Sequence, residues 1–331
     1  MKLTLDQIKA AARGVAYITE EDGLVRLHRF TEAQEEFYKG TNDEHYHRTF
    51  ASAGVVLEFD TDSQRLSLDV RCSKGGSRRW FAHSILVDGK SVGTLGGKYP
   101  EGGYVDVNGS WALGEGMKRV KILFPFSACS RIRALTLDEE ADFAPVRKEG
   151  SVLIYGDSIT HGYDCSVPER SYASRLAEYL DADCINKGIG GEVFRPGLAE
   201  LKDDVQPNLI TVAYGTNDWS RKTPETIRQD ATAFFAALRR NYPHTPMIIL
   251  APVWRKVWKE ERPGGDFRGV AEILRDIAGE LGNALFIDCF GFIPQELALY
   301  SPDGTHPNDD GFRFYAEGLI NTLKEQGVGP V

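Results

Sequence analysis

The sequence predicts an α/β chain in two parts. An antiparallel β-sandwich, jelly-roll-like, is expected over residues 1–148. A three-layer α/β/α domain with a parallel five-stranded sheet is expected over residues 149–331. Two observations carry this. From residue 150 onward, short apolar runs alternate with stretches of helical periodicity, the pattern of a parallel sheet covered on both faces. Before residue 148 the runs are short and alternate in polarity, with turn residues between them and no long helix.

In the first part a short helix is expected at Thr4–Ala12. Strands are expected at Val55–Phe59, Arg65–Arg71, Ser84–Val87, Tyr104–Val107 and Arg119–Phe124. Turn signals separate them at Asp60-Thr-Asp-Ser63, Asp88-Gly89 and Asn108-Gly109. The charged stretches Asp138-Glu-Glu-Ala-Asp142 and Arg147-Lys-Glu-Gly150 mark the linker.

In the second part strands are expected at Val152–Tyr155, Cys184–Asn186, Leu209–Ala213, Met247–Ala251 and Leu285–Asp288. Between the first two, Pro168 to Leu180 carries Tyr172, Leu176 and Tyr179 on one helical face. Thr223 caps a helix that starts with Pro224 and shows the stripe Ile227, Ala231, Phe234, Phe235, Leu238. Phe267, Val270, Ile273, Leu274, Ile277 and Leu281 form another stripe, ended by Gly282. Phe312, Tyr315, Leu319 and Leu323 form the last.

Composition narrows the function classes. A net charge of −9 argues against nucleic acid as the main partner. No window approaches the ~18 apolar residues of a membrane span, and Met1-Lys-Leu-Thr-Leu-Asp6 lacks the apolar core of an export signal. The five cysteines follow no spacing pattern, so reduced thiols and a cytoplasmic setting are expected. No cluster of His, Cys and carboxylates has zinc spacing, so neither metal nor other cofactor is expected.

The chemistry centres on Ser158, which follows the buried run Val152–Tyr155 through Gly156-Asp157. A residue just past the end of such a strand lies where open α/β sheets place their ligands. A serine hydroxyl needs a base, and the base needs an orienting group. Asp303 and His306 stand three residues apart in Ser301-Pro-Asp-Gly-Thr-His-Pro-Asn308, where one turn brings carboxylate and imidazole together. Asn186-Lys-Gly-Ile-Gly-Gly191 and Tyr214-Gly-Thr-Asn-Asp218 offer donors for an oxyanion, each after an expected strand.

These four stretches, in this order, resemble the SGNH hydrolases, also called GDSL esterases and lipases. Gly156-Asp157-Ser158 matches the first block, Gly191 the glycine of the second, Gly215-Thr-Asn217-Asp218 the third, and Asp303-Gly-Thr-His306-Pro307 the last. The Gly-x-Ser-x-Gly elbow of the other large α/β serine hydrolase family is absent, because Thr160 stands at its second glycine. The resemblance implies a triad of Ser158, His306 and Asp303. It implies an oxyanion hole from the amides of Ser158 and Gly191 and the Asn217 side chain. A β-sandwich ahead of such a domain is similar to carbohydrate esterase family 2, which deacetylates sugars, and to a related bacterial group that includes acyltransferases. The implied activity is cleavage of short-chain, chiefly acetyl, esters of a carbohydrate or small metabolite. Water or another alcohol takes the acyl group from the serine. A catalytically silent glycan-binding protein is the reading from a different class.

Other residues carry weaker signals. Trp254 and Trp258 follow the fourth strand and Trp219 follows the third, so all three are read as pocket wall, against packing on the other domain. His161 either lines the pocket or is a solvated loop residue. His45 and His47 would share one face of a strand, but lack a third metal ligand and fit a polar loop better. Cys165 is either an exposed thiol or a small packing residue. The segments after the third and fourth strands, Trp219–Thr223 and Arg255–Arg262, are short or charged and offer no wall for a long acyl chain.

Overall fold

Alternating polarity builds the first part. In the run Arg65–Lys74, Leu66, Leu68, Val70 and Cys72 are fully buried, while the residues between them turn outward. A computed structural model describes residues 1–331. The first part holds α1 (Leu5–Ala11), β1 (Ala12–Arg13), β2 (Tyr17–Glu21), β3 (Leu24–His28), α2 (Glu32–Thr41), α3 (Asp43–Thr49) and β4 (Val56–Thr61). It continues with β5 (Arg65–Lys74), β6 (Trp80–Val87), β7 (Lys90–Lys98), β8 (Tyr104–Ala112), β9 (Lys118–Leu123), β10 (Ala128–Leu137) and β11 (Ala144–Pro145). One antiparallel sheet runs β2-β3-β10-β5-β8; the other runs β1-β4-β9-β6-β7, with β11 beside β4. Leu66, Leu68 and Ile132 of the first sheet share one core with Leu57, Ile85 and Ile122 of the second.

The structure departs from the sequence expectation at four places. Asn108-Gly109 is not a turn but lies inside β8, with Gly109 opposite Leu68. A Cβ at Gly109 would meet the Trp111 ring at 2.7 Å, so the glycine makes room for an indole rather than for a reversal. Asp22-Gly23, by contrast, is a hairpin turn, with φ of 51° and 71°. The strands β1, β2, β3, β7, β10 and β11 have no counterpart among the expected strands, although β10 is central to its sheet. The sandwich is also interrupted by α2 and α3. Their signal was present: Thr31 caps α2 in a capping box with Gln34.

The second part holds β12 (Gly150–Gly156), α4 (Ser158–His161), α5 (Tyr172–Tyr179), β13 (Ala182–Gly188), α6 (Pro196–Ala199) and β14 (Leu209–Ala213). Then come α7 (Thr216–Arg221), α8 (Pro224–Asn241), β15 (Met247–Leu250), α9 (Phe267–Leu281), β16 (Ala284–Ile287) and α10 (Asp309–Glu325). The sheet is parallel and runs β13-β12-β14-β15-β16. Val152 and Ile154 pack with Tyr172, Leu176, Phe312 and Leu319 of α5 and α10. Leu153 and Tyr155, on the other face, pack with Phe234, Leu238, Val270 and Leu274 of α8 and α9. Helices therefore cover both faces, and a strand buried on both sides reads as a continuous apolar run. Strand order reverses between β12 and β14, which places the end of β12 at the switch point of the sheet.

The two parts are pinned together near that point. Arg29 is fully buried, and its guanidinium donates to the carbonyls of Asn186 at 2.8 Å and Gly188 at 2.9 Å. Phe30 and Tyr38 share a core with Ile185, Phe194 and Leu198 of the second part. No helix is long and apolar enough to cross a membrane.

Candidate active site

Ser158 is the first residue of α4, directly after β12. Asp157 caps that helix, accepting from the Ile159 amide at 2.9 Å. Gly156 cannot carry a side chain here, since a Cβ would meet Thr160 Oγ1 at 2.0 Å. Thr160 in turn exchanges a hydrogen bond with the Tyr172 hydroxyl at 2.7 Å. The tight strand-to-helix turn thus leaves Ser158 Oγ at the sheet edge, 2.7 Å from His306 Nε2.

His306 and Asp303 share one self-supporting loop. Asp303 Oδ1 accepts the amides of Thr305 at 2.9 Å and His306 at 3.1 Å. Its other oxygen meets His306 Nδ1 at 2.6 Å. Burial opposes the charge on Asp303, but the hydrogen bond and charge of His306 and the two amides hold its pKa well below the usual carboxylate range. The loop closes through Ser301 N–H to His306 O at 2.8 Å and is braced by Lys256 N–H to Gly304 O at 2.8 Å.

Gly191 and Asn217 flank this group from β13 and β14. Gly191 adopts φ +79°, which favours glycine. Its carbonyl accepts from Arg221 at 2.7 Å, and that of Gly190 accepts from Arg48. Asn217 lies in the first turn of α7, and its side-chain amide donates one N–H to Glu192 O at 3.0 Å. The other N–H has no protein partner. Glu192 is fully buried; burial opposes its charge, yet His45 and Arg195 hold its pKa down to about 2.

Sequence reasoning missed a group that the first part contributes. Arg78 forms a two-point ion pair with Asp164, at 2.7 and 2.8 Å, and lies 3.5 Å from Asp303. Asp164 Oδ2 is 3.8 Å from His306 Nδ1, and the Tyr163 ring packs 5.6 Å from the His306 ring. Arg78 is 225 residues from Asp303 in sequence, and no local pattern announces such a partner. Asp164, Asp303 and His306 also lie within metal-ligating distance of one another. The Arg78 guanidinium supplies a cation to both carboxylates there.

Several expected roles are corrected. His161 does not line a pocket and is not a solvated loop residue: it is 1% exposed, and its Nδ1 accepts the Gly190 amide at 3.2 Å. Burial and the nearby Arg29 and Arg48 push its pKa well below the ordinary histidine value, so it stays a neutral acceptor. Trp219 is not a pocket wall either; it is fully buried, with its indole N–H on Gly265 O at 2.8 Å. Trp254 is buried against Tyr300, 5.1 Å between rings, and props the loop of Asp303. Trp258 is half-buried against Phe290. His45 and His47 sit on α3, not on a strand or polar loop; two residues apart on a helix, one is buried and one is not. Cys165 is a buried packing residue.

Residues 154–314 match the model of the GDSL-like lipase/acylhydrolase family. The chain is similar to the GDSL lipase Rv0518 of Mycobacterium tuberculosis, 25% identical over 222 residues, which are 60% of this chain and 88% of that one. Its fold is similar to that of the salicylyl-acyltransferase SsfX3 from a tetracycline biosynthetic pathway. That match has a TM-score of 0.82 and 23% identity and covers 97% of this chain and 95% of the other. It is also similar to a family two carbohydrate esterase from Clostridium thermocellum, solved with cellohexaose, with a TM-score of 0.65 and 16% identity. Coverage there is 83% of this chain and 93% of the other.

Proposed function

We propose, from a domain that belongs to the GDSL-like lipase/acylhydrolase family over residues 154–314, that the protein cleaves short-chain acyl esters, acetyl foremost, of a carbohydrate or small metabolite. The observation that carries this is the continuous chain from Ser158 Oγ to His306 Nε2 at 2.7 Å and from His306 Nδ1 to Asp303 at 2.6 Å. Residues 149–331 are taken as the catalytic domain and residues 1–148 as its accessory sandwich.

In this reading Ser158 Oγ attacks the ester carbonyl and His306 Nε2 takes its proton. Asp303 keeps the imidazole in the required tautomer and stabilises the imidazolium. The oxyanion is met by the amides of Ser158 and Gly191 and by the free N–H of Asn217. His306 returns the proton to the departing alcohol, leaving an acyl-serine. Water, deprotonated by His306, then releases the acid and restores Ser158.

A second reading, transfer of the acyl group to another alcohol, is supported by the fold likeness to the salicylyl-acyltransferase along nearly the whole chain. The carbohydrate substrate is supported by the fold shared with the carbohydrate esterase solved with cellohexaose. A short acyl group is supported by the burial of Trp219 and Trp254, which builds core rather than an apolar groove. Five free, buried cysteines suit a reducing, cytoplasmic setting.

The test compares p-nitrophenyl acetate with p-nitrophenyl palmitate, using wild type and Ser158→Ala. Acetate should be preferred by tenfold or more in kcat/KM, a difference of about 1.4 kcal/mol in transition-state binding. Ser158→Ala should lose nearly all turnover. Wild-type rates in Ser158→Ala would overturn the mechanism, whereas equal rates on palmitate would overturn only the acyl length.

A further inference from the structure

We propose that an anionic group of the ester substrate, a carboxylate or phosphate, is held in a three-sided subsite over Gly191 formed by His45, Arg48 and Arg221. As a substrate subsite it rests on the hydrolase reading; as an anion site it stands on geometry alone. Gly191 has no side chain, and a Cβ placed there would lie 3.2 Å from Arg48 Nη1, 3.7 Å from Arg221 Nη2 and 3.7 Å from His45 Nε2. Three nitrogens from three side chains therefore converge on one point. Two come from α3 in the first part, and one from α7 in the second.

The charges at this point are poorly matched within the protein. Arg221 donates to Gly191 O and stands outside any ion pair. Arg48 has only Glu44, at 3.7 Å, and that carboxylate is engaged by Lys74 at 2.9 Å. One N–H of each guanidinium goes to a carbonyl of the Gly190–Gly191 loop, which fixes its plane and leaves further donors for a ligand.

His45 is the independent sign of a ligand. It is 5% exposed, and its Nδ1 has no hydrogen-bond partner within 3.5 Å. Its Nδ1 lies 3.6 Å from Glu192 Oε2, at the outer edge of hydrogen-bonding distance, and its Nε2 faces the point over Gly191. Bracing of the loop accounts for the two arginines, and Glu192 for the Nδ1 side of His45, but neither accounts for its Nε2, which faces the same point with no partner in the protein. On α7, Asn217 and Arg221 are four residues apart and share a face, so the subsite adjoins the proposed oxyanion site.

The test reads binding and turnover separately. Inorganic phosphate and succinate are titrated by calorimetry into Ser158→Ala, and into Ser158→Ala combined with Arg221→Gln or Arg48→Gln. Millimolar or tighter binding that weakens tenfold or more with either arginine replaced is expected; no binding, or binding unchanged by both, overturns the subsite whatever the activity. Two ester pairs then locate the charge. p-Nitrophenyl hydrogen succinate against p-nitrophenyl butyrate places it on the acyl side, and 4-acetoxybenzoate against its methyl ester places it on the alcohol side. The charged member of one pair should be favoured by tenfold or more in kcat/KM, and Arg221→Gln should cut that ratio tenfold, any loss common to both members cancelling. Turnover with ratios near one in both pairs overturns the substrate role. Anion binding with no turnover of any ester would instead count against the hydrolase reading and leave the anion site standing.

Discussion

Arg78 of the sandwich clamps Asp164 of the α/β domain through two bonds, Nε to Oδ1 at 2.7 Å and Nη2 to Oδ2 at 2.8 Å. The same guanidinium lies 3.5 Å from Asp303. Burial raises the pKa of Asp164, but Arg78 outweighs it and keeps the carboxylate ionised. Two carboxylates thus face the Nδ1 edge of His306, with one cation between them. Replacing Arg78 by Ala removes the cation that clamps Asp164 and lies beside Asp303. The kcat on p-nitrophenyl acetate should fall by about tenfold or more, worth about 1.4 kcal/mol, and Arg78→Lys should restore part of it. A variant that loses stability with an unchanged kcat would reduce Arg78 to a structural tie between the two parts.

Asn217 donates one N–H to Glu192 O at 3.0 Å, which aims the side chain and leaves the second N–H for a ligand. Asn217→Ala should lower kcat on p-nitrophenyl acetate by on the order of 10²–10³, the usual effect of removing one preorganised donor. KM should change little, because the donor acts on the transition state. Steady-state kinetics that show a raised KM with unchanged kcat would assign Asn217 to substrate binding instead.

Asp157 is 3% exposed, and burial pushes its pKa up to about 6. Its folded value lies above its unfolded value, so folding favours the protonated form. Any stabilisation is complete below the unfolded value and is lost as pH rises through about 6. At pH 7 and above, the buried carboxylate costs up to about 3 kcal/mol, from about two pKa units. Asp157→Asn keeps the acceptor for the Ile159 amide without the charge. Thermal unfolding should show the variant more stable than wild type at pH 8, with the gain vanishing below about pH 4. A gain independent of pH would show that burial of charge is not its source.

Chelation provides a fourth check. Asp164, Asp303 and His306 could hold a cation by distance alone, but Arg78 already pairs with both carboxylates. EDTA should therefore leave esterase activity intact; loss of activity with rescue by a divalent ion would contradict this.

The α/β half was legible because its signals are local. Val152–Tyr155 is buried on both sheet faces, so its residues are continuously apolar in sequence. The helices α8, α9 and α10 each bury one stripe, which shows as a 3.6-residue period. Asp303 and His306 were legible as a pair for the same reason: three residues and two backbone amides fix their contact within one loop. Aromatic residues were not legible in this way. Trp219 and Trp254 were read as pocket wall, but whether an indole beside a strand end faces solvent or core depends on distant neighbours such as Phe267 and Tyr300.

The sequence by itself determined the order of strand and helix in the second half and the sandwich ahead of it, both of which depend on periodicity. Its four blocks pointed to Ser158, His306 and Asp303 through a family resemblance. Only the tertiary structure decided what surrounds them. Arg78, His45 and Arg48 lie 80, 113 and 110 residues before Ser158 in the chain, yet reach its surroundings because α2, α3 and the β5–β6 turn dock on the ends of the parallel strands. That docking rests on Arg29 bonding the carbonyls of Asn186 and Gly188, and on Phe30 and Tyr38 entering the second core. Such contacts form between segments with no shared period, and their free energy appears only once both halves have folded.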